Sequence, residues 1–113
     1  MKIVFHIPEY SRSIPCLNNA RNLLYQTARP QGESIQAVFN ADAVMSLVRG
    51  EESAERWLTL CEEYPCIQLS VCNNSLHGYS LSPEQLIDPI RVIPVAVVAL
   101  AELQLNGWIY IRP

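Results

Sequence analysis

Hydrophobic and polar residues follow one another along the chain in segments whose period changes between strand-like and helix-like. Residues 2–7 form a run of β-formers, and a strand this close to the N-terminus is best stabilised inside a sheet. Apolar residues then recur at helical spacing from about residue 15 to residue 29, where Pro30 stops the pattern. A turn at residues 31–33 precedes a second run of β-formers at residues 34–40.

The middle of the chain predicts two helices and a third strand. A short helical stripe at residues 43–48 ends at Gly50, and Ser53 then has the position of an N-cap for a longer helix. Residues 66–72 form the third run of β-formers, and the polar sequence NNSLHGYS that follows is rich in turn residues. We therefore expect two helices, then a strand, then a turn.

The last third of the chain predicts one very apolar helix between two short strands. The sequence SPEQ at residues 82–85 combines an N-cap serine, a proline at the first helical position and a capping-box glutamine, which predicts one or two helical turns. Residues 90–93 predict a strand, and a helix follows Pro94. Gly107 has the position of a left-handed C-cap before a final strand at residues 108–111.

Strands and helices alternate throughout this order. Such alternation favours right-handed crossovers and helices on both faces of a parallel sheet. The chain has 113 residues, half of them hydrophobic, which is enough to bury a core without disulfides or a structural metal. We therefore predict a single α/β domain over residues 1–113, built on a mostly parallel sheet.

The charge and hydropathy patterns exclude several classes of partner. The net charge is −3, and the eight Lys and Arg residues are scattered, so no basic stripe favours nucleic acid or an anionic membrane. The N-terminal apolar run is too short for a signal peptide, and no segment approaches the ~20 apolar residues that span a bilayer. We expect a cytoplasmic protein with reduced cysteines and with neither nucleic acid nor a membrane as its partner.

Two features predict a homo-oligomer. Charged residues make up 17% of the chain, which is below the ~25% that is typical of soluble domains. Residues 95–101 contain no polar side chain, so a helix there presents apolar groups all round and needs protein to cover it. A neighbouring subunit is a reasonable candidate for that cover.

The candidate functional residues lie at the carboxyl ends of the predicted strands. Ligands and reactive groups of open α/β sheets lie just outside these ends. His6, Asn40 and Cys72 end or follow the first three strands, and Asn73 and Asn74 come directly after Cys72. The amide groups of a following turn can favour the thiolate of a cysteine at such a junction, and the thiolate is a nucleophile. Position alone leaves open the alternative that Cys72 packs as a small core residue.

The remaining residues offer weaker candidates. Cys16, Cys61 and Cys66 occupy positions where a thiol packs, His6 is expected to be hydrogen-bonded and partly buried, and His77 is expected to be solvated. The cysteines lack the paired short spacings of structural zinc modules. The sequence contains neither a glycine-rich phosphate-binding pattern nor a nucleophile elbow, and it predicts no metal and no cofactor.

Several segments resemble the DsrE/DsrF-like family. They are the N-terminal strand with His6 and the sequences ARNLL, AVFNADAV, VCNNSL and VVALAELQLNGWIYIRP. The most specific are VCNNSL and the ending L-Q-x-x-G-W-x-Y-I-x-P, and the match covers nearly the whole chain. The resemblance implies a three-layer α/β/α sandwich with a five-stranded, largely parallel sheet, in assemblies that are trimers or hexamers.

The same resemblance suggests a function for Cys72. It matches the cysteine that accepts sulfane sulfur as a persulfide in the sulfur-trafficking members and hands it to a partner protein. The chain would then be a sulfurtransferase or persulfide carrier with donor and acceptor proteins, and Asn73, Asn74 and nearby amides would stabilise charge. The alternative is a noncatalytic oligomeric module for assembly or ligand binding, in which Cys72 packs and a ligand binds among His6, Asn40 and Asn73.

Overall fold

A computed structural model describes residues 1–27 and 34–113, and a five-stranded sheet forms its centre. The strands are β1 (Lys2–Ile7), β2 (Ser34–Phe39), β3 (Ile67–Cys72), β4 (Arg91–Ile93) and β5 (Ile109–Ile111). Their order across the sheet is β4-β3-β2-β1-β5, and all four neighbouring pairs run parallel. The predicted α/β fold is confirmed, and β1 lies inside the sheet as expected.

The strands are connected by helices of unequal length. The α-helices are α1 (Ser13–Thr27), α2 (Glu52–Glu63), α3 (Asn73–Gly78) and α4 (Ala96–Leu105), and the 3-10 segments are Tyr10–Arg12, Ala41–Leu47 and Pro83–Gln85. The helical stripe predicted at residues 43–48 is therefore a 3-10 segment. The end of the first predicted helix, residues 28–29, and the predicted turn at 31–33 lie outside the described residues.

The alternation of side chains along each strand divides the core into two layers. In β1, Ile3, Phe5 and Ile7 point to the face that α1 and α2 cover, and they belong to the larger buried cluster with Trp57. Val4 points to the opposite face. There it packs in a smaller cluster whose other buried members are Val38, Cys72, Ile93, Ala96 and Leu100. The result is the three-layer α/β/α arrangement, with α4 on the second face.

Ser53 is not the N-cap of α2, so that prediction was wrong. The helix begins at Glu52 with Glu51 in the N-cap position. The Ser53 hydroxyl instead donates a hydrogen bond to the carbonyl oxygen of Ser46 at 2.6 Å. Ser53 is buried, and a buried hydroxyl needs a partner, which the preceding 3-10 segment supplies.

The sequence NNSLHGYS does not form a simple turn, since its first six residues are helix α3. Asn and Ser favour the first positions of helices as well as turns, so the composition alone does not distinguish the two structures. The buried side chain of Leu76 holds the short helix against the core. With this correction Cys72 becomes the N-cap of a helix.

Two predicted helix-terminus signals in the last third of the chain are confirmed: the capping box at residues 82–85 and the C-cap at Gly107. Gln85 Oε1 accepts a hydrogen bond from the backbone N–H of Ser82 at 2.9 Å, which completes a capping box. Gly107 has a φ of +86°, and the N–H of Trp108 bonds the carbonyl of Leu103 at 3.0 Å, as in a Schellman motif. This motif ends α4 and directs the chain into β5.

No helix among the described residues combines the length and the apolar character needed to cross a membrane.

Candidate functional site

Cys72 lies where two helices begin. It is the last residue of β3 and the N-cap of α3, with extended backbone angles of φ −77° and ψ 120°. In the β3–β4 pairing it lies opposite Ile93, and α4 begins three residues later at Ala96. The residue is only 5% exposed and packs against Ala96 in the smaller core cluster.

The surroundings of the sulfur favour its charged form. Burial by itself raises the pKa of the Cys72 thiol, but the backbone N–H groups of Ser75, Ala96 and Asn74 and the Ser75 hydroxyl lower it, and the net result is a lowered pKa. The Cys72 side chain makes no regular capping hydrogen bond in α3, and a neutral thiol is a weak acceptor in any case. A thiolate is a much stronger one, so these donors stabilise the negative charge.

In two other cysteines, Cys16 and Cys61, the pKa of the thiol is raised. Burial raises the pKa of the fully buried Cys16 far above its ordinary value, against a smaller opposing effect of Arg12. Burial also raises the pKa of Cys61 to about 11, and Cys66 adds to that effect. Cys16 and Cys61 are therefore protonated near neutral pH, in agreement with their predicted packing role.

His6 forms the centre of a hydrogen-bonded chain. Its Nδ1 lies 2.6 Å from the hydroxyl of Tyr110 and its Nε2 lies 2.9 Å from Oδ1 of Asn40. Burial lowers the pKa of His6, Arg112 lowers it further, and the bond to Asn40 opposes both. The neutral ring then donates from Nε2 to Asn40 and accepts from Tyr110, so the predicted hydrogen-bonded, partly buried histidine is confirmed.

The structure brings the predicted site residues together in two groups. His6 and Asn40 bond each other, while Cys72 interacts with the backbone of Asn74. His6 and Cys72 are on β1 and β3 with β2 between them, so their backbones are ~10 Å apart at the usual strand spacing. Both ring nitrogens of His6 are occupied by Tyr110 and Asn40, and among the described residues no hydrogen bond joins His6 to Cys72.

Asn73 and Asn74 were expected to stabilise charge at Cys72, but their side chains do not hydrogen-bond the sulfur in this structure. Asn73 is half-buried and Asn74 is exposed. Within residues 1–27 and 34–113 neither side chain forms a hydrogen bond, and the group of Asn74 that acts on the sulfur is its backbone N–H. Both side-chain amides are thus available to a bound molecule.

Ser75 and Ala96 were missed as site residues. Ser75 becomes the third residue of a helix capped by Cys72 only if NNSLHG is recognised as helical. Ala96 approaches the sulfur only because β4 pairs with β3, a neighbour relationship that one sequence does not reveal. The available signal was Pro94, which marks the start of a helix just beyond a strand end.

Cys72 itself lines none of five cavities on the surface of the described residues. One of about 420 Å³ is near the beginning of β3, where Cys61, Ile67 and Arg91 are among its lining residues. The described residues contain no cluster of three or more His, Cys, Asp or Glu side chains that could hold a metal ion.

Comparisons with known proteins agree with this architecture. The model of the DsrE/DsrF-like family matches residues 17–113. A solved structure of MTH1491, a protein of unknown function from Methanobacterium thermoautotrophicum, is 27% identical with a TM-score of 0.85, and the match covers 98% of this chain and 97% of that one. The ychN protein from E. coli is 20% identical with a TM-score of 0.79, over 100% and 99% of the two chains, and it shows the shared fold.

No functionally curated protein matches the sequence significantly. The family model nevertheless extends over most of the chain, including β2 to β5 and the segment around Cys72. The chain therefore belongs to the DsrE/DsrF-like family.

Proposed function

We propose that this protein carries sulfane sulfur as a persulfide on Cys72, either as a sulfurtransferase or as a carrier in a sulfur relay. The observation that carries the proposal is the set of hydrogen-bond donors from α3 and α4 around one sulfur, which lower its pKa although it is buried. Membership of a family that is generally linked to sulfur relay supports the same function.

The proposed reaction is a thiol–persulfide exchange. The Cys72 thiolate attacks the outer sulfur of a donor persulfide, R–S–SH, and a new S–S bond forms on Cys72 while the donor's S–S bond breaks. The electron pair of that bond leaves with the donor thiolate, R–S⁻, and the proton stays on the transferred sulfur. The exchange needs no external oxidant or reductant. A second exchange passes the sulfur to an acceptor thiol.

The neighbouring polar groups have roles in binding under this proposal. Asn73 and Asn74 have side-chain amides that can hydrogen-bond the donor's departing thiolate. Asn40 follows β2, whose last residue pairs with Val71, so it lies beside the end of β3 and can approach the outer sulfur of a Cys72 persulfide. His6 donates a hydrogen bond from Nε2 to Oδ1 of Asn40, and this bond orients the Asn40 side chain.

The donor and the acceptor are proposed to be proteins that carry reactive thiols, and the cytoplasm is the proposed compartment. Cys16, Cys61 and Cys72 are free thiols in this structure, as expected where thiols are kept reduced.

We also propose a homo-oligomer, a trimer or hexamer, in which a second copy covers the outer side of α4. The exposed fractions are 68% for Val97, 51% for Val98 and 86% for Leu105, and all three are apolar. Ile109 and Ile111 of the edge strand β5 are also exposed. Exposed apolar side chains concentrated on one helix and an adjoining edge strand are typical of an interface.

A second candidate function is a noncatalytic module for assembly or ligand binding. It is supported by the burial of Cys72, which packs with Val4, Val38 and Ile93 as a core residue would. In that case the oligomer would still form, a ligand would bind among His6, Asn40 and Asn73, and Cys72 would have no reactivity of its own.

Cyanide release of sulfane sulfur distinguishes the two functions. The protein is incubated with polysulfide, desalted and treated with cyanide, which converts sulfane sulfur to thiocyanate. We expect about one thiocyanate per chain, from a single reactive thiol. Cys72→Ser should release none, and the matched Cys61→Ser variant should release the wild-type amount. Equal release from Cys72→Ser and wild type would refute the carrier function.

A further inference from the structure

The Ser75 hydroxyl is held in one orientation by a contact with a distant loop. Its Oγ accepts a hydrogen bond from the backbone N–H of Ala41 at 2.8 Å. Ala41 begins the 3-10 segment after β2 and has a φ of +51°, in the left-handed region that a residue with a side chain seldom adopts. Ser75 therefore joins the end of β2 to the beginning of α3.

This contact determines what the hydroxyl can still do. A serine hydroxyl has one proton and two acceptor lone pairs, and the bond from Ala41 occupies an acceptor site. The proton remains to be donated. Ser75 is the third residue of the helix that Cys72 caps, so the two residues are three positions apart and neighbours on one side of the helix.

We propose that Ser75 is a positioning residue for Cys72: fixed by Ala41, it directs its hydroxyl proton at the Cys72 sulfur and favours the charged form of that sulfur. The benefit to a Cys72 persulfide rests on the proposed function, but the effect on the free thiol does not. The side-chain hydrogen bond from Ser75 is among the causes that lower the pKa of Cys72, in support of this geometry.

Ser75 differs from the other donors around the sulfur because a substitution can remove it. Ala96 and Asn74 act through backbone N–H groups, which remain whatever side chain is present. Within the described residues, Ser75 supplies the one side-chain donor to Cys72. Removal of the Ser75 hydroxyl therefore measures the effect of one hydrogen bond on Cys72 while the backbone donors stay in place.

The test is the pH dependence of Cys72 alkylation by iodoacetamide, followed at the Cys72 peptide by mass spectrometry. A hydrogen bond to a charged group changes an equilibrium about 10-fold to 100-fold, and a thiol of higher pKa is intrinsically more nucleophilic. Ser75→Ala should therefore react about threefold to tenfold more slowly at pH 7, while its limiting rate at high pH should not fall. His77→Ala, an exposed change on the same helix, should keep the wild-type profile.

Two further variants separate the lost proton from a disturbed loop. Glycine adopts a positive φ without strain, so Ala41→Gly combined with Ser75→Ala preserves the loop without restoring the hydroxyl. The double variant should react like Ser75→Ala, and Ser75→Thr, which keeps a hydroxyl, should react like wild type. A wild-type profile in Ser75→Ala, or recovery in the double variant, would overturn the proposal. If Ser75→Ala reacts more slowly as expected but the wild-type protein takes up no sulfur, the carrier function is refuted and the role of Ser75 is not.

Discussion

The hydroxyl of Tyr110 donates a hydrogen bond to Nδ1 of His6 at 2.6 Å, although the two residues are 104 positions apart in the chain. The other ring nitrogen of His6 bonds Asn40, so one chain of hydrogen bonds joins β5, β1 and the end of β2. Both partners suit a neutral ring, with Tyr110 as donor and Asn40 as acceptor. Protonation of His6 would make Nδ1 a donor and require the Tyr110 hydroxyl to turn.

His6 should make the protein less stable in mild acid. Its pKa is lowered mainly by burial, so the unfolded chain takes up a proton at a higher pH than the folded chain does. The stabilisation from neutral His6 is complete above its unfolded pKa of about 6.5 and is lost as the pH falls from there through the folded pKa. The free energy of unfolding should therefore decline as the pH falls below about 7.

Urea denaturation over that pH range measures the effect. His6→Gln should be less stable than wild type at pH 7 but should show a shallower decline. His77→Gln, at an exposed position, should retain the wild-type slope. An equally steep decline in His6→Gln would show that another group is responsible.

Tyr110→Phe should lower the free energy of unfolding by about 0.5–1.5 kcal/mol, the usual net worth of one hydrogen bond. The change deletes only the hydroxyl that donates to His6. Tyr79→Phe is the matched control, because Tyr79 is exposed and its hydroxyl forms no hydrogen bond within the described chain. If both variants were equally stable, the Tyr110–His6 bond would contribute nothing measurable.

Cys72 should be alkylated before the other cysteines at pH 7. Its lowered pKa raises the thiolate fraction, whereas Cys61, with a pKa of about 11, is almost entirely protonated. A rate advantage over Cys61 of at least about tenfold follows, even after allowance for the lower nucleophilicity of a less basic thiolate. Since Cys72 is only 5% exposed, a small reagent is required. Peptide mass spectrometry identifies the labelled residue, and earlier labelling of Cys61 would contradict this assignment.

Val97→Glu should dissociate the proposed oligomer. An unpaired carboxylate buried in an interface costs several kcal/mol, whereas the same residue on a free surface costs little. Light scattering at micromolar concentration should give an oligomer for wild type and a smaller species for the variant. Thr59→Glu adds the same charge at an exposed position on α2 and should leave the mass unchanged. A monomeric wild type would remove the basis for this interface.

The sequence predicted the elements well and the contacts between distant elements poorly. Runs of β-formers located all five strands because the burial of a central sheet imposes a continuous local pattern. The helix at Asn73 was missed because Asn and Ser are as common at helix starts as in turns. The groups around Cys72 depend on which strands are neighbours, so the Ala41–Ser75 bond and the approach of Ala96 were beyond a local pattern.

Cys72 itself could be singled out from the sequence because a strand end followed by polar residues is visible locally. Its chemical state could not, since burial and hydrogen bonding shift a thiol pKa in opposite directions. The two effects can be weighed only when the donors are located.

Sulfur transfer to Cys72 is tested by the mass of the Cys72 peptide after the folded protein is incubated with polysulfide and desalted. A persulfide on Cys72 should add about 32 daltons, one sulfur atom, to the peptide that contains Cys72, and none to the Cys16 and Cys61 peptides. Treatment with an acceptor thiol should remove the added mass, and Cys72→Ser should remain folded and gain nothing at that peptide. Added sulfur on another cysteine instead, or an unmodified Cys72 in the folded protein, would show that Cys72 is not the sulfur carrier.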